Sequence, residues 1–182
     1  MKTTFYMVRH GQPDWGWAET MRFFGPCSAY MPLTPLGVEQ IEHTACDPQL
    51  RGAAFILASP YTRTMQSAQI LSRRLDLPVT VEWDLHEWLY DRDMKGDLPT
   101  PEERFGREDM TRCFFFYMEH DDLTGEDNCE TAAVIAERVL ACLRRYAGQA
   151  EKIIVVCHEG VIRSVPGMKA VNLGQVVPVT LE

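Results

Sequence analysis

Short apolar runs alternate with helix-start signals along this chain, and that alternation limits the fold more than any other feature. Residues 4–8 (TFYMV) are continuous and β-rich, as in a strand buried on both faces. Residues 53–59 (AAFILAS), 77–83 (LPVTVEW) and 152–157 (KIIVVC) repeat the pattern. Between them lie helices. Residues 33–45 open with Thr34 as cap and Pro35 at the first helical position. Residues 59–75 repeat that signal with Ser59 and Pro60, and turn Met65, Ile70 and Leu71 to the core. Residues 130–148 form an amphipathic helix with Ile135, Val139, Cys142, Leu143 and Tyr146 on one face and Gly148 at its end. A last strand at 175–182 carries Pro178, which places it at an edge. The order predicts an α/β fold, a three-layer αβα sandwich with a mostly parallel sheet and helices on both faces. The 182 residues suit one domain spanning 1–182. Residues 84–125 are charged and irregular, with a helix near 114–118, and read as an excursion or lid over the active-site edge.

The formal net charge of −8 argues against nucleic acid as a partner, which needs a basic surface. It leaves room for a phosphorylated substrate, because a local arginine cluster outweighs a screened global charge. The six cysteines form no CxxC and no metal-ligand spacing, as expected of free thiols in a reducing compartment. No run approaches the ~20 apolar residues of a membrane span, and the apolar stretch at the N-terminus is too short for a signal peptide. A cytoplasmic protein is expected, with no membrane partner. Oligomeric state is not legible.

The reactive residues fall at strand ends. His10 follows the first strand and His158 follows the IIVVC strand. Ligands of open α/β sheets bind at the carboxyl ends of strands, beside helix N-termini. If the two strands are neighbours, both histidines and Arg9 converge on one edge. Arg63, about one turn into the helix after Ser59, reaches back to the same edge. Guanidinium forks match phosphate oxygens and stay charged. The third strand runs out at DLHEWLYD, which offers Glu87, with Asp84, Asp91 and Asp93 as competitors. Trp15, Trp17 and Trp88 either line a mouth or pack a core. Arg22, Arg92 and Lys95 either read a second substrate charge or face solvent.

RHG after an N-terminal strand resembles the signature of the histidine phosphatase superfamily, whose fold is phosphoglycerate mutase-like. LTPLGVEQ is similar to its LTxxGxxQ helix start through Leu33, Thr34, Gly37 and Gln40. ASPYTRTMQSA resembles its SSPLxRAxQTA through Ser59, Pro60, Arg63, Gln66 and Ala68. DLHE matches an LxE through Leu85 and Glu87, and ETAAVIAER a Glu-to-Arg helix through Glu130 and Arg138. VVCHEGVIR resembles VSHGGxIR through His158, Gly160, Ile162 and Arg163.

The resemblance implies a phosphatase that works without metal or cofactor. His10 attacks phosphorus and becomes a phosphohistidine, while its other ring nitrogen donates to a backbone carbonyl. Arg9, Arg63 and His158 bind the phosphoryl oxygens. Glu87 protonates the leaving oxygen and then deprotonates water. Gly11 lets the chain turn away and the phosphate approach. The expected substrate is a small phosphorylated metabolite or a phosphoprotein. The rivals are a phosphoglycerate mutase and a catalytically impaired phosphate-binding module. Departures from the family pattern are Glu159 in place of a common glycine, Gly16 in place of a common asparagine, and WLYDRD after Glu87. Glu159 has three readings: it faces solvent, holds His158 protonated, or repels phosphate.

Overall fold

The apolar runs pair into a five-stranded sheet in the computed structural model, which describes residues 2–21, 25–92, 110–121, 128–167 and 170–181. The strands are β1 (Thr3–Arg9), β2 (Ile56–Ala58), β3 (Val79–Val81), β4 (Lys152–Cys157) and β5 (Val176–Leu181), in spatial order β3-β2-β4-β1-β5. All pairings are parallel except β5, which runs antiparallel along β1. Pro178 therefore sits on an edge strand, opposite Tyr6, the place in a sheet where proline is tolerated. The described helices are α1 (Trp15–Met21), α2 (Pro35–Thr44), α3 (Thr62–Leu75), α4 (Met110–Glu119), α5 (Ala132–Tyr146) and α6 (Glu159–Ser164). None of them is long and apolar enough to cross a membrane.

Strand alternation splits the core into two layers. Phe5, Met7, Leu57, Ile153 and Val155 meet Ile135, Val139 and Leu143 of α5 on one face. Val8, Ile56, Ile154 and Val156 meet Ile41 of α2 and Ala68, Ile70 and Leu71 of α3 on the other. Because both faces are covered, the central strands are apolar at successive positions, as a parallel sheet requires.

Two local expectations need correction. The runs at 53–59 and 77–83 contribute only three paired residues each, Ile56–Ala58 and Val79–Val81. Helix α3 starts at Thr62, not Pro60, and Ser59 does not cap it. The Ser59 hydroxyl is instead 2.8 Å from His158 Nε2, a partner far away in sequence. Arg63 is thus the second residue of α3 rather than a full turn inside it. The Thr34 cap holds, its Oγ1 accepting from the Gly37 N–H at 2.9 Å.

The chain leaving β1 is clamped against the start of α2. Gln12 N–H donates to Gln40 Oε1 at 2.8 Å, Thr34 N–H to Gln12 O at 2.9 Å, and Gly11 N–H to Ser67 Oγ at 3.3 Å. Here Gly11 and Gly37 press together. A Cβ on Gly11 would overlap the Gly37 carbonyl, and one on Gly37 would overlap the backbone of Gln12. Gly11 is therefore required for close packing, not for a positive φ, which it lacks. The clamp sets where His10 points. Gly37→Ala should cost roughly 1–3 kcal/mol by overpacking and lower Tm by ~2–4 °C per kcal/mol, with activity falling alongside. Gly16→Ala, with no backbone neighbour that close, is the control. Equal thermal stability of the two variants would count against the clamp.

Candidate active site

Register brings the two histidines together. Arg9 pairs with Cys157 across β1 and β4, so the next residues, His10 and His158, lie side by side at the carboxyl edge. Their ring centroids are 5.2 Å apart at 66°. Ala58 pairs with Val156 on the other side of β4, and this delivers Ser59 and then Arg63 to the same place. Arg63 links them: its Nε donates to His10 Nε2 at 3.1 Å, Nη2 to His158 Nδ1 at 3.3 Å, and Nη1 to Ser28 O at 3.0 Å.

These contacts settle both tautomers, because arginine only donates. His10 Nε2 accepts, so Nδ1 carries the proton and donates to Gly11 O at 2.7 Å. His158 Nδ1 accepts, so Nε2–H donates to Ser59 Oγ. Burial, then the Arg63 charge, holds both imidazoles well below the ordinary histidine pKa; Arg9 adds to this at His10. Both rings are neutral at pH 7.

Arg9 leaves β1 with Nη1 donating to Val171 O at 2.6 Å and Nη2 paired to Glu159 Oε2 at 2.7 Å. Its Nε is buried without a hydrogen-bond partner among the described residues, an unfilled donor of the kind an anion satisfies. Glu87 comes from the segment after β3. Its Oε1 accepts from Trp88 N–H at 3.0 Å and from Gly160 N–H at 3.1 Å, at the start of α6. A Cβ on Gly160 would collide with this carboxyl. Burial raises the Glu87 pKa, and the Trp88 N–H and the nearby arginines only partly offset it. The Glu87 segment is anchored from behind by Glu130. That carboxylate accepts from Leu89 N–H at 2.9 Å and from Arg138 Nε at 2.7 Å, while Arg138 Nη1 donates to Asp84 O at 2.6 Å.

Arg9, His10, Arg63, Glu87, Glu159 and Trp15 line one cavity of about 450 Å³. Its outer wall is aromatic, with Trp88, Tyr90, Phe114 and Phe115. Trp15 is thus at the mouth, whereas Trp88 does both jobs, lining the cavity and packing against the core. Two of the competing carboxylates have other partners: Asp84 pairs with Arg145 and Asp91 accepts from Asn128. Gly11 and His158 are not among the residues that line the cavity. His158 is fully buried and its two ring nitrogens meet Ser59 Oγ and Arg63 Nη2. Glu159 pairs with Arg9 and does not keep His158 protonated. Arg92 lines a separate depression beside Trp83 and His86. Arg22, Asp93 and Lys95 are outside the described residues, as are residues 93–109 and 122–125 of the 84–125 excursion. Tyr61 and the carbonyl of Val171 had no assigned role, and Ser59 had only that of a helix cap; the SSPLxR-like match alone pointed toward Ser59.

The family model described as histidine phosphatase superfamily (branch 1) matches residues 5–167. A mycobacterial glucosyl-3-phosphoglycerate phosphatase superposes with TM-score 0.71 at 18 % identity, covering 99 % of this chain and 91 % of that one. A phosphoglycerate mutase from Bacillus anthracis str. Sterne superposes with TM-score 0.65 at 16 % identity over 100 % and 88 %. In sequence, the chain is 33 % identical over 82 residues to a protein of Proteus mirabilis (strain HI4320) named probable phosphoglycerate mutase GpmB. That match takes in 45 % of this chain and 36 % of its relative, so the chain spans about a third of the curated relative's length.

Neutral imidazoles have a consequence for stability. An unfolded histidine titrates near ~6.5, so above that pH both states are neutral and the full stability is present. As pH falls below it, the unfolded chain binds protons that the folded site refuses, and stability is lost. Each such histidine should remove up to about 1.4 kcal/mol between pH 7.5 and 5.5. Glu87, with a raised pKa, works in the opposite sense. Urea denaturation at the two pH values should show a smaller pH-dependent loss for His158→Asn than for the parent; an equal loss would contradict a neutral His158.

Proposed function

The chain belongs to the histidine phosphatase superfamily, and on that premise we propose that it hydrolyses small phosphomonoesters through a phosphohistidine at His10, with no metal or cofactor. One observation carries this reading: a buried, neutral His10 has its Nδ1 proton tied to Gly11 O and its Nε2 lone pair on the Arg63 guanidinium. An incoming phosphoryl group takes over that guanidinium and frees the lone pair for attack. Nε2 then bonds to phosphorus as the ester P–O bond breaks. The ring gains positive charge, and the Nδ1–H bond to Gly11 O strengthens to meet it.

Arg63 and the unpartnered Arg9 Nε neutralise the equatorial oxygens. His158 and Ser59 hold Arg63 in place. Glu87, whose pKa burial raises, gives its proton to the leaving oxygen. The resulting carboxylate takes a proton from water, whose oxygen attacks phosphorus. The P–N bond breaks, inorganic phosphate leaves, and His10 returns to its neutral tautomer. The opening residues of the 84–125 excursion, with Glu87 and Trp88, act as one wall of the site.

Radiolabel from a phosphomonoester should be trapped as an acid-labile, alkali-stable adduct that His10→Ala abolishes together with turnover; normal turnover in that variant would reject the reading, and net interconversion of phosphoglycerates in place of phosphate release would favour a mutase. Glu87→Gln should lose roughly 10²–10⁴-fold on an alkyl phosphate, which needs the acid, and much less on p-nitrophenyl phosphate, whose leaving group does not. It should also remove the fall of kcat/KM with rising pH that tracks the raised Glu87 pKa. Equal losses on both substrates would assign the acid elsewhere.

A further inference from the structure

The cavity holds a carboxylate that phosphoryl transfer does not use. Glu159 is the first residue of α6 and lines the cavity with its side chain about one-fifth exposed. It is fixed by Arg9 Nη2 at 2.7 Å, with Arg163 Nη1 at 3.7 Å behind it. Arg163 in turn lies 4.7 Å over the ring of Phe115, so the pair is continuous with the aromatic wall. The wall is built of ring contacts: Trp88 meets Phe114 edge-on at 5.9 Å, Phe114 meets Phe115 at 5.1 Å, and the Trp88 indole donates to Glu130 O at 2.7 Å.

The charges in the lining decide what fits beyond the phosphoryl group. Among the described residues the cavity presents two guanidiniums, Arg9 and Arg63, against Glu159, while burial favours the neutral form of Glu87. Glu159 already pairs with Arg9. A phosphate dianion consumes the positive charge that remains. A second anionic group on the substrate would face a fixed carboxylate and apolar rings; the remaining nearby cation, Arg163, is already on Glu159 and Phe115 and is not among the described lining residues. Specificity of this kind comes from what a site repels as much as from what it holds.

We propose that Glu159, clamped on Arg9 beside the aromatic wall, selects phosphomonoesters of uncharged aromatic or apolar alcohols and rejects those bearing a second negative charge. This rests on the hydrolase reading above. The selection has two parts: ring faces that accept an apolar leaving group in offset or edge-on contact, and a carboxylate that repels a carboxylated one.

The test compares kcat/KM for 2-naphthyl phosphate and 3-phosphoglycerate in the parent chain and in Glu159→Gln. The parent should prefer naphthyl phosphate by tenfold or more, and the variant should narrow that preference by at least tenfold, whatever happens to the absolute rates. A parent preference for 3-phosphoglycerate overturns the inference while the hydrolase reading stands; so does a ratio that Glu159→Gln leaves unchanged. Absence of phosphate release from every ester overturns the hydrolase reading itself. A measurement on the parent alone covers a variant that fails to fold: phenylphosphonate should inhibit competitively at concentrations at least tenfold lower than phosphonoacetate. Equal inhibition by the two overturns the proposed selection.

Discussion

A buried guanidinium with no carboxylate partner organises this molecule. Arg63 is 6 % exposed, and its three nitrogens donate to two neutral imidazoles and one carbonyl. Among the described residues no acidic side chain lies within ion-pair distance of it. Burying a charge this way is costly unless something compensates it. Burial first, and this cation second, depress the pKa of both histidines, and the cation creates a strong local demand for an anion. The charge that helps to keep His10 neutral also attracts the phosphoryl group that the proposed mechanism brings to it.

Sheet order and two glycines put the guanidinium there. With β4 between β1 and β2, one edge receives His10, His158 and Ser59 from three adjacent strands. The contact of Gly11 with Gly37 then holds the chain after His10 against α2, and the ring itself is held by Gly11 O and Arg63. Gln40, Gln66 and Ser67 complete that clamp by accepting from backbone N–H groups of Gln12, Leu33 and Gly11. Much of what looks like a catalytic motif is thus scaffolding for one ring.

The layered α/β architecture was legible in the sequence because strand alternation and helix caps are local signals. The pairing of His10 with His158 was legible because both follow buried apolar runs, and a parallel sheet lines such ends up. Ser59 was misread as a cap because cap chemistry and a long-range hydrogen bond use the same hydroxyl, and only register decides between them. Glu159 was ambiguous for the same reason: its partner, Arg9, lies on another strand and becomes a neighbour only when Arg9 pairs with Cys157. The opening of α3 at Thr62 escaped notice because Pro60 suits a first helical turn as well as the bend before one. The aromatic wall needed α4 to be placed against the Glu87 segment, which no local pattern specifies.

The neutral Nδ1–H tautomer of His10 is the state on which the proposed nucleophilic attack depends. Nitrogen-15 NMR of histidine-labelled protein, with His10 identified by His10→Asn, reads it directly. Between pH 6 and 8 the His10 signals should remain those of a neutral ring protonated at Nδ1, with no titration near 6.5. A ring protonated at Nε2, or one that titrates to the cation in that range, would contradict the mechanism at its first step.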